Sequence, residues 1–248
     1  MSNPNINTSQ QRGMDGVASD RSGRQRRARR SQSCFGRCKD LFSLQNMVGI
    51  TNLKSQAEAY LNFLLRDHSW SKEQMEMDSP VQLICDPWEH TRAHLSIFDP
   101  HDLIWIGSKG DIRKEFFQRS QLWWPAHSGA SYTCASSFKP GSSMRVAGNV
   151  QGRRFYVVES ETLNENQVGA VFNWLKQFLT LRAVVGTGDN HLHGWFDYPS
   201  HAEIQALNVI LLGFQCNTKG RDACHPYPLA GRPWQGKNTR HYLHYCNP

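Results

Sequence analysis

The order of apolar segments between residues 153 and 246 constrains the fold more than any other feature of this chain. RRFYVVES (153–160) is a short β-branched and aromatic run, read as a buried strand. From Asn164 to Leu179 the apolar residues Val168, Val171, Phe172, Leu175, Phe178 and Leu179 fall on one helical face, and Asn164 can cap the start. LRAVVGT (181–187) is a second strand, Gly188 gives a turn, and LHGWFDY (192–198) returns as a third. Residues 201–213 form a helix with Ile204, Leu207, Ile210 and Leu211 inward, and RHYLHYC (240–246) alternates as a last strand.

Strand, helix, strand, turn, strand, helix, strand predicts an α+β fold. The sheet is mixed or antiparallel, with helices mainly on one face, of the half-ferredoxin-like, RNA-recognition type rather than a run of parallel βα units. Upstream, residues 41–66 read as a helix, with Leu53, Ala57, Tyr60, Leu61, Leu64 and Leu65 at helical spacing. VQLIC (81–85) reads as a short strand closed by Asp86-Pro87, and LIWIG (103–107) as another entered through the turn FDPHD. Residues 121–149 are rich in Ser and Gly without periodicity and read mostly as loop.

Charge separates the N-terminal segment from the rest. Residues 1–33 hold seven Arg against two Asp, which is +5 of the chain's +7 and leaves about +2 for the remainder. With almost no apolar side chains, residues 1–40 read as a disordered basic tail and 41–248 as one domain. The run RSGRQRRARR (21–30) is a phosphate-binding arm, a nuclear-import signal or a solvated tail. Seven Cys, an odd number and scattered, argue for a reducing compartment rather than a secreted disulfide framework. No apolar run reaches the roughly 18 residues that span a bilayer, and the start lacks a secretory pattern. The expectation is a cytoplasmic protein of a bacterium, or a nuclear one in a eukaryote, with no membrane partner.

Four constellations could carry chemistry. Glu159 and Glu161 close the strand FYVV at i and i+2, so in an extended chain both carboxylates project to one face. Close like charges favour a cation between them, and Mg²⁺ or Mn²⁺ on carboxylates serves phosphoryl transfer; a solvated acidic pair is the plainer alternative. His191 and His193 share the same spacing and could hold a metal or grip a triphosphate, or could be half-buried strand residues bonded to backbone. Cys216, Cys224, His225, His241, His244 and Cys246 could hold a structural zinc, though their spacing matches no tight Cys-x2-Cys knuckle. Arg232, Lys237 and Arg240 flank Trp234 in a polar stretch that could contact phosphates and stack a base, or could be a solvated turn.

In order, RRFYVVESETL, FNWLKQFLTLRAVVGTGDNHLHGWFDYP, LLGFQ, PYPLAGRP and TRHYLHYCNP resemble the archaeo-eukaryotic primase superfamily, most closely the primase-polymerase domains of mobile elements and viruses. With FDPHDLIWIG and FKPGSSMR upstream, the resemblance covers about residues 95–248. It implies that Glu159 and Glu161 are the strand-borne acid pair, that His191-Leu-His193 is the second motif, and that Gln215 stands at the third acid position. It further implies template-dependent nucleotidyl transfer with Mg²⁺ or Mn²⁺ held by Glu159, Glu161 and Gln215, and a triphosphate held by His193. Nucleic acid or nucleotide would be bound by His191, Arg232, Lys237 and Arg240. The implied partners are a single-stranded DNA template, nucleoside triphosphates and a replicative helicase. This sequence departs from the pattern with Glu161 where Asp is usual, His191 for Ser, neutral Gln215 for the third acid and Pro228 for Arg. Those departures keep two alternatives open: a catalytically decayed nucleic-acid-binding module on the same fold, and a zinc-stabilised interaction protein.

Overall fold

The computed structural model describes residues 53–113, 115–121, 130–188, 191–217, 222–234 and 239–248. The basic tail and Lys237 lie outside them. All described residues belong to one unit. It is an α+β structure whose strand pairs are antiparallel. No helix among the described residues is long and apolar enough to cross a membrane.

The strands anticipated after residue 153 are all present. β6 (Phe155–Glu159), β7 (Leu181–Gly186), β8 (Leu192–Asp197) and β10 (Tyr242–Cys246) form a four-stranded sheet in the order β10-β7-β8-β6. The helices between them are α4 (Glu165–Leu175) and α5 (His201–Gly213). Both begin with a capping box: Asn164 pairs reciprocally with Gln167, and Ser200 with Glu203. Each box satisfies two backbone N–H groups that a helix start leaves unpaired, which fixes where the helix begins.

Strand alternation sends side chains to two different cores. Tyr156 and Val158 of β6, Val184 of β7 and Leu192 and Phe196 of β8 face α4, α5 and α1 (Leu53–Asp67), where Leu64, Val171, Phe172, Leu207 and Leu211 are buried. Phe155, Val157, Ala183, Val185 and Trp195 face the other way. Each fully buried side chain of this kind contributes about 1.5–3 kcal/mol. The helices are thus mainly on one face, as expected, but the opposite face is not open.

That opposite face packs on a second sheet. β1 (Leu103–Gly107) lies between β4 (Ser136–Phe138) and β3 (Tyr132–Cys134) in the order β5-β4-β1-β3-β9, with β2 (Phe116–Gln118) also on β1. β5 is Val150–Arg153 and β9 is Pro226–Pro228. Ile104 and Ile106 turn toward the four-stranded sheet, while Trp105 turns away onto Phe138 and Cys134. Much of this sheet falls where the sequence reads as loop. Ser131, Thr133, Ser136 and Ser137 are buried there, and small polar residues carry no apolar period to announce a strand. The Thr133 hydroxyl donates to the Trp105 carbonyl at 2.8 Å.

VQLIC is a correction. Residues 81–85 form no strand; on β10, the last strand of its sheet, the Leu243 and Cys246 N–H groups go to side chains instead, to His90 Nδ1 and to Ser79 Oγ, each at 3.0 Å. Asp86-Pro87 instead opens α3 (Pro87–Leu95), with Asp86 as cap and Pro87 in the first turn. The short helix α2 (Lys72–Met77), capped by Ser71, is also unannounced by any long apolar pattern.

α3 is held to the strands by neutral histidines one turn apart. His94 Nδ1 accepts the Ala230 N–H at 3.3 Å, and His90 Nδ1 accepts the Leu243 N–H at 3.0 Å. The His94 ring stands edge-on to Trp195, 4.6 Å between centroids. Burial pushes the His94 pKa down to about 3 and lowers that of His90. The unfolded chain takes up these protons near 6.5 while the fold resists until lower pH, so stability is complete above 6.5 and lost as pH falls below it. Denaturant unfolding between pH 7 and 5 should show a fall approaching about 1.4 kcal/mol per pH unit from His94, with His90 adding in the same direction. A flat profile across that window would contradict this account of α3.

Candidate functional site

The β6–β8 register places the two acidic and histidine motifs side by side. Glu159 lies directly across from His193. Both are buried, at 6% and 7% exposure, and His193 Nδ1 stands 3.1 Å from Glu159 Oε2. Their side chains emerge on the face shared by Val157 and Trp195, toward the second sheet, because alternate strand residues share a face.

The strand ends at Glu159, so Glu161 does not continue it. Ser160 is buried and turns the chain: its Oγ donates to the Gln215 carbonyl at 2.9 Å and accepts the Leu163 N–H at 3.1 Å. Glu161 is exposed beyond that bend yet still reaches the same cavity as Glu159. The hairpin β7–β8 is closed by the Thr187 N–H donating to the His191 carbonyl at 2.8 Å.

These residues line a cavity of about 390 Å³, within the roughly 300–1,000 Å³ usual for small-molecule sites. One side carries Glu159, Glu161, Thr187, His191 and His193. The other carries Lys109, Tyr132, His225, Tyr227, Trp234 and His241, contributed by the turn after β1, by β3, by β9 and by the approach to β10. The sequence reading singles out Glu159, Glu161, His191 and His193 on the first side and His225, Trp234 and His241 on the other, but none of Lys109, Tyr132, Thr187 and Tyr227.

The far wall is held by backbone. Tyr132 pairs with Pro228 and Thr133 with Tyr227 across β3 and β9. Gly231 donates its N–H to the His241 carbonyl at 2.7 Å, and His241 donates to the Arg232 carbonyl at 2.9 Å. Gly231 has φ +77°, and a Cβ there would stand 1.8 Å from the Pro87 carbonyl oxygen. Burial, with His193 nearby, lowers the His241 pKa to about 4, so this imidazole is uncharged near pH 7.

Other expected binding residues stand apart. Gln215 has φ +56°, does not line the cavity, and its side-chain oxygen accepts the Thr162 hydroxyl at 3.0 Å. Arg232 is buried at 7% exposure, its Nε donates to the Ala130 carbonyl at 2.7 Å, and its guanidinium lies 5.6 Å from the Trp88 ring centre. Burial, then the charge of Arg240, lowers its pKa. Arg240 is exposed and reaches the Gly231 carbonyl at 3.4 Å. Neither arginine lines the cavity.

No family model, curated protein or solved structure matches the chain. The site therefore has to be read from its own chemistry.

Two carboxylates on one cavity wall fit Mg²⁺ or Mn²⁺. Such ions take one or two protein carboxylates and complete their shell with substrate phosphate and water. Among the described residues, no group of three or more His, Cys, Asp or Glu is placed to hold a metal. The C-terminal Cys and His are distributed: Cys216, Cys246 and Cys224 sit in three different core clusters, and His244 contacts Glu76 at 2.8 Å. Burial pushes the Cys216 thiol up to about 12 and Cys246 to about 11, so both stay protonated.

Gly231→Ala should destabilise the protein by more than about 2 kcal/mol, since it adds both a strained φ and a backbone clash. Thermal unfolding with calorimetry checks it. A melting temperature equal to wild type would contradict the close approach of Gly231 to α3.

Proposed function

We propose that the chain is a nucleotidyl transferase of the primase-polymerase type. Its substrates are nucleoside triphosphates and its template is single-stranded DNA, in the replication of a mobile or viral element that a replicative helicase would serve. The observation that carries this reading is the convergence of Glu159, Glu161, His191 and His193 on one cavity, from the strand end and hairpin where the resemblance to that superfamily puts its motifs.

Glu159 and Glu161 are the residues that would hold the divalent cation. Bound there, Mg²⁺ or Mn²⁺ supplies charge neutralisation to the reacting phosphate oxygens. The chain's own part is positioning. Glu159 is fixed by its strand and by His193; Glu161, beyond the bend, is exposed at the cavity. His193 and His191 present ring nitrogens to the triphosphate, and Lys109 adds a cation on the opposite side. Arg232 is a poorer phosphate ligand than its place in the sequence implies, being buried on Ala130 and Trp88.

A second reading is favoured by Gln215. A neutral residue at the third acid position, hydrogen-bonded to Thr162 and outside the cavity, removes a ligand from the set that the superfamily resemblance implies. On this reading the fold binds strands or nucleotides without turnover.

Nucleotide incorporation on a single-stranded template with Mg²⁺ or Mn²⁺ separates the two. Wild type should incorporate, and Glu159→Ala with Glu161→Ala should lower the rate by on the order of 10²–10³. Strand binding without incorporation by wild type would favour the binding module; incorporation unchanged in the double variant would overturn the assignment.

A further inference from the structure

The far wall of the cavity holds polar groups that the transfer chemistry leaves without a task. Tyr227 and His241 are 2% and 1% exposed, and both line the cavity. The Tyr227 hydroxyl and both ring nitrogens of His241 are buried with no hydrogen-bond partner. The same holds for Thr187 Oγ1 and His191 Nδ1 on the near side. A buried donor or acceptor left unpaired costs about 1–3 kcal/mol, so several around one cavity point to a bound molecule that completes them.

Their chemistry narrows the class of that molecule. His241 is neutral near pH 7, so its ring offers one donor and one acceptor. The Tyr227 hydroxyl is held protonated by burial and by the Glu159 charge, and both donates and accepts. Neither supplies the positive charge a phosphate wants. Aromatic surface surrounds them: the Trp234 ring lies 5.7 Å and the Tyr132 ring 6.2 Å from His241. Uncharged donors and acceptors among aromatic side chains suit a flat heterocycle with mixed polar edges.

We propose that the wall formed by Tyr227, His241, Tyr132 and Trp234 receives one nucleobase, with Tyr227 and His241 on the edge that does not pair with the template, while the phosphates of the same nucleotide lie toward Glu159 and His193. The division of the cavity rests on the nucleotidyl-transfer reading for the position of the phosphates; base binding is testable apart from it.

The experiment titrates the full chain, without metal, with each of four phosphate-free nucleosides and separately with inorganic tripolyphosphate, following tryptophan fluorescence and heat. At least one nucleoside should bind saturably. Tyr227→Phe, which removes one oxygen, should weaken that binding about tenfold and leave tripolyphosphate binding unchanged. His241→Gln is the second variant, with the same expected pattern, and calorimetric melts establish that each is folded. Absence of nucleoside binding at millimolar concentration, or equal affinity in folded Tyr227→Phe and His241→Gln, overturns the proposal. If wild type incorporates nucleotides and nucleosides do not bind, the base wall falls and the transferase reading stands. If nucleosides bind through Tyr227 and no incorporation occurs, the base wall stands and the transferase reading falls.

Discussion

The contact between Glu159 and His193 sets everything else at the site. It exists because β6 and β8 pair in one register, and a one-residue slip of either strand would turn that strand's member of the pair into the helical core. That register is enforced from both faces. Tyr156, Val158, Leu192 and Phe196 must reach α4 and α5, while Phe155, Val157 and Trp195 must reach the second sheet. The acid and the histidine occupy the last inward positions of those strands, where the apolar layer ends and the cavity begins. The site is therefore a consequence of where the core stops.

The second sheet closes the cavity, and it depends on interactions of another kind. Its strands are short, and its buried serines and threonines rely on backbone hydrogen bonds more than on apolar area. It packs on the four-stranded sheet through Ile104 and Ile106, and α3 adds a tie, its two histidines accepting backbone N–H groups from the Ala230 segment and from β10. Arg154 adds a charged tie, with Nε 3.0 Å from the buried Asp102 carboxylate. The wall bearing Tyr227 and His241 is thus anchored by uncharged imidazoles, and its integrity is linked to keeping them uncharged.

Apart from β9, the elements after residue 153 are legible in the sequence because they carry an apolar run, an apolar period or a capping residue. Asn164 and Gln167 mark α4, and Ser200 and Glu203 mark α5. The strands of residues 130–138 are not legible, since Ser131, Thr133, Ser136 and Ser137 resemble loop until β1 supplies partners on both edges. VQLIC misleads for the converse reason: Val81 and Leu83 pack on the core without pairing in a sheet. At the site, Glu159, Glu161, His191 and His193 are legible because i, i+2 spacing is local. Tyr132 stands about a hundred residues before Tyr227 and His241, so no local spacing could associate it with them. Arg232 and Arg240 show the opposite failure, since a basic cluster in sequence says nothing of burial.

The cavity joins two acids and two histidines on one side to a lysine and an aromatic wall on the other. The central claim is that this is where a nucleoside triphosphate and its metal ion meet. The most direct test is anomalous scattering from crystals grown with Mn²⁺ and a non-hydrolysable nucleoside triphosphate. The account predicts a manganese peak in the cavity beside Glu159 and Glu161, with the triphosphate on the His193 side. Manganese and triphosphate bound elsewhere, with the cavity filled by water alone, would contradict it.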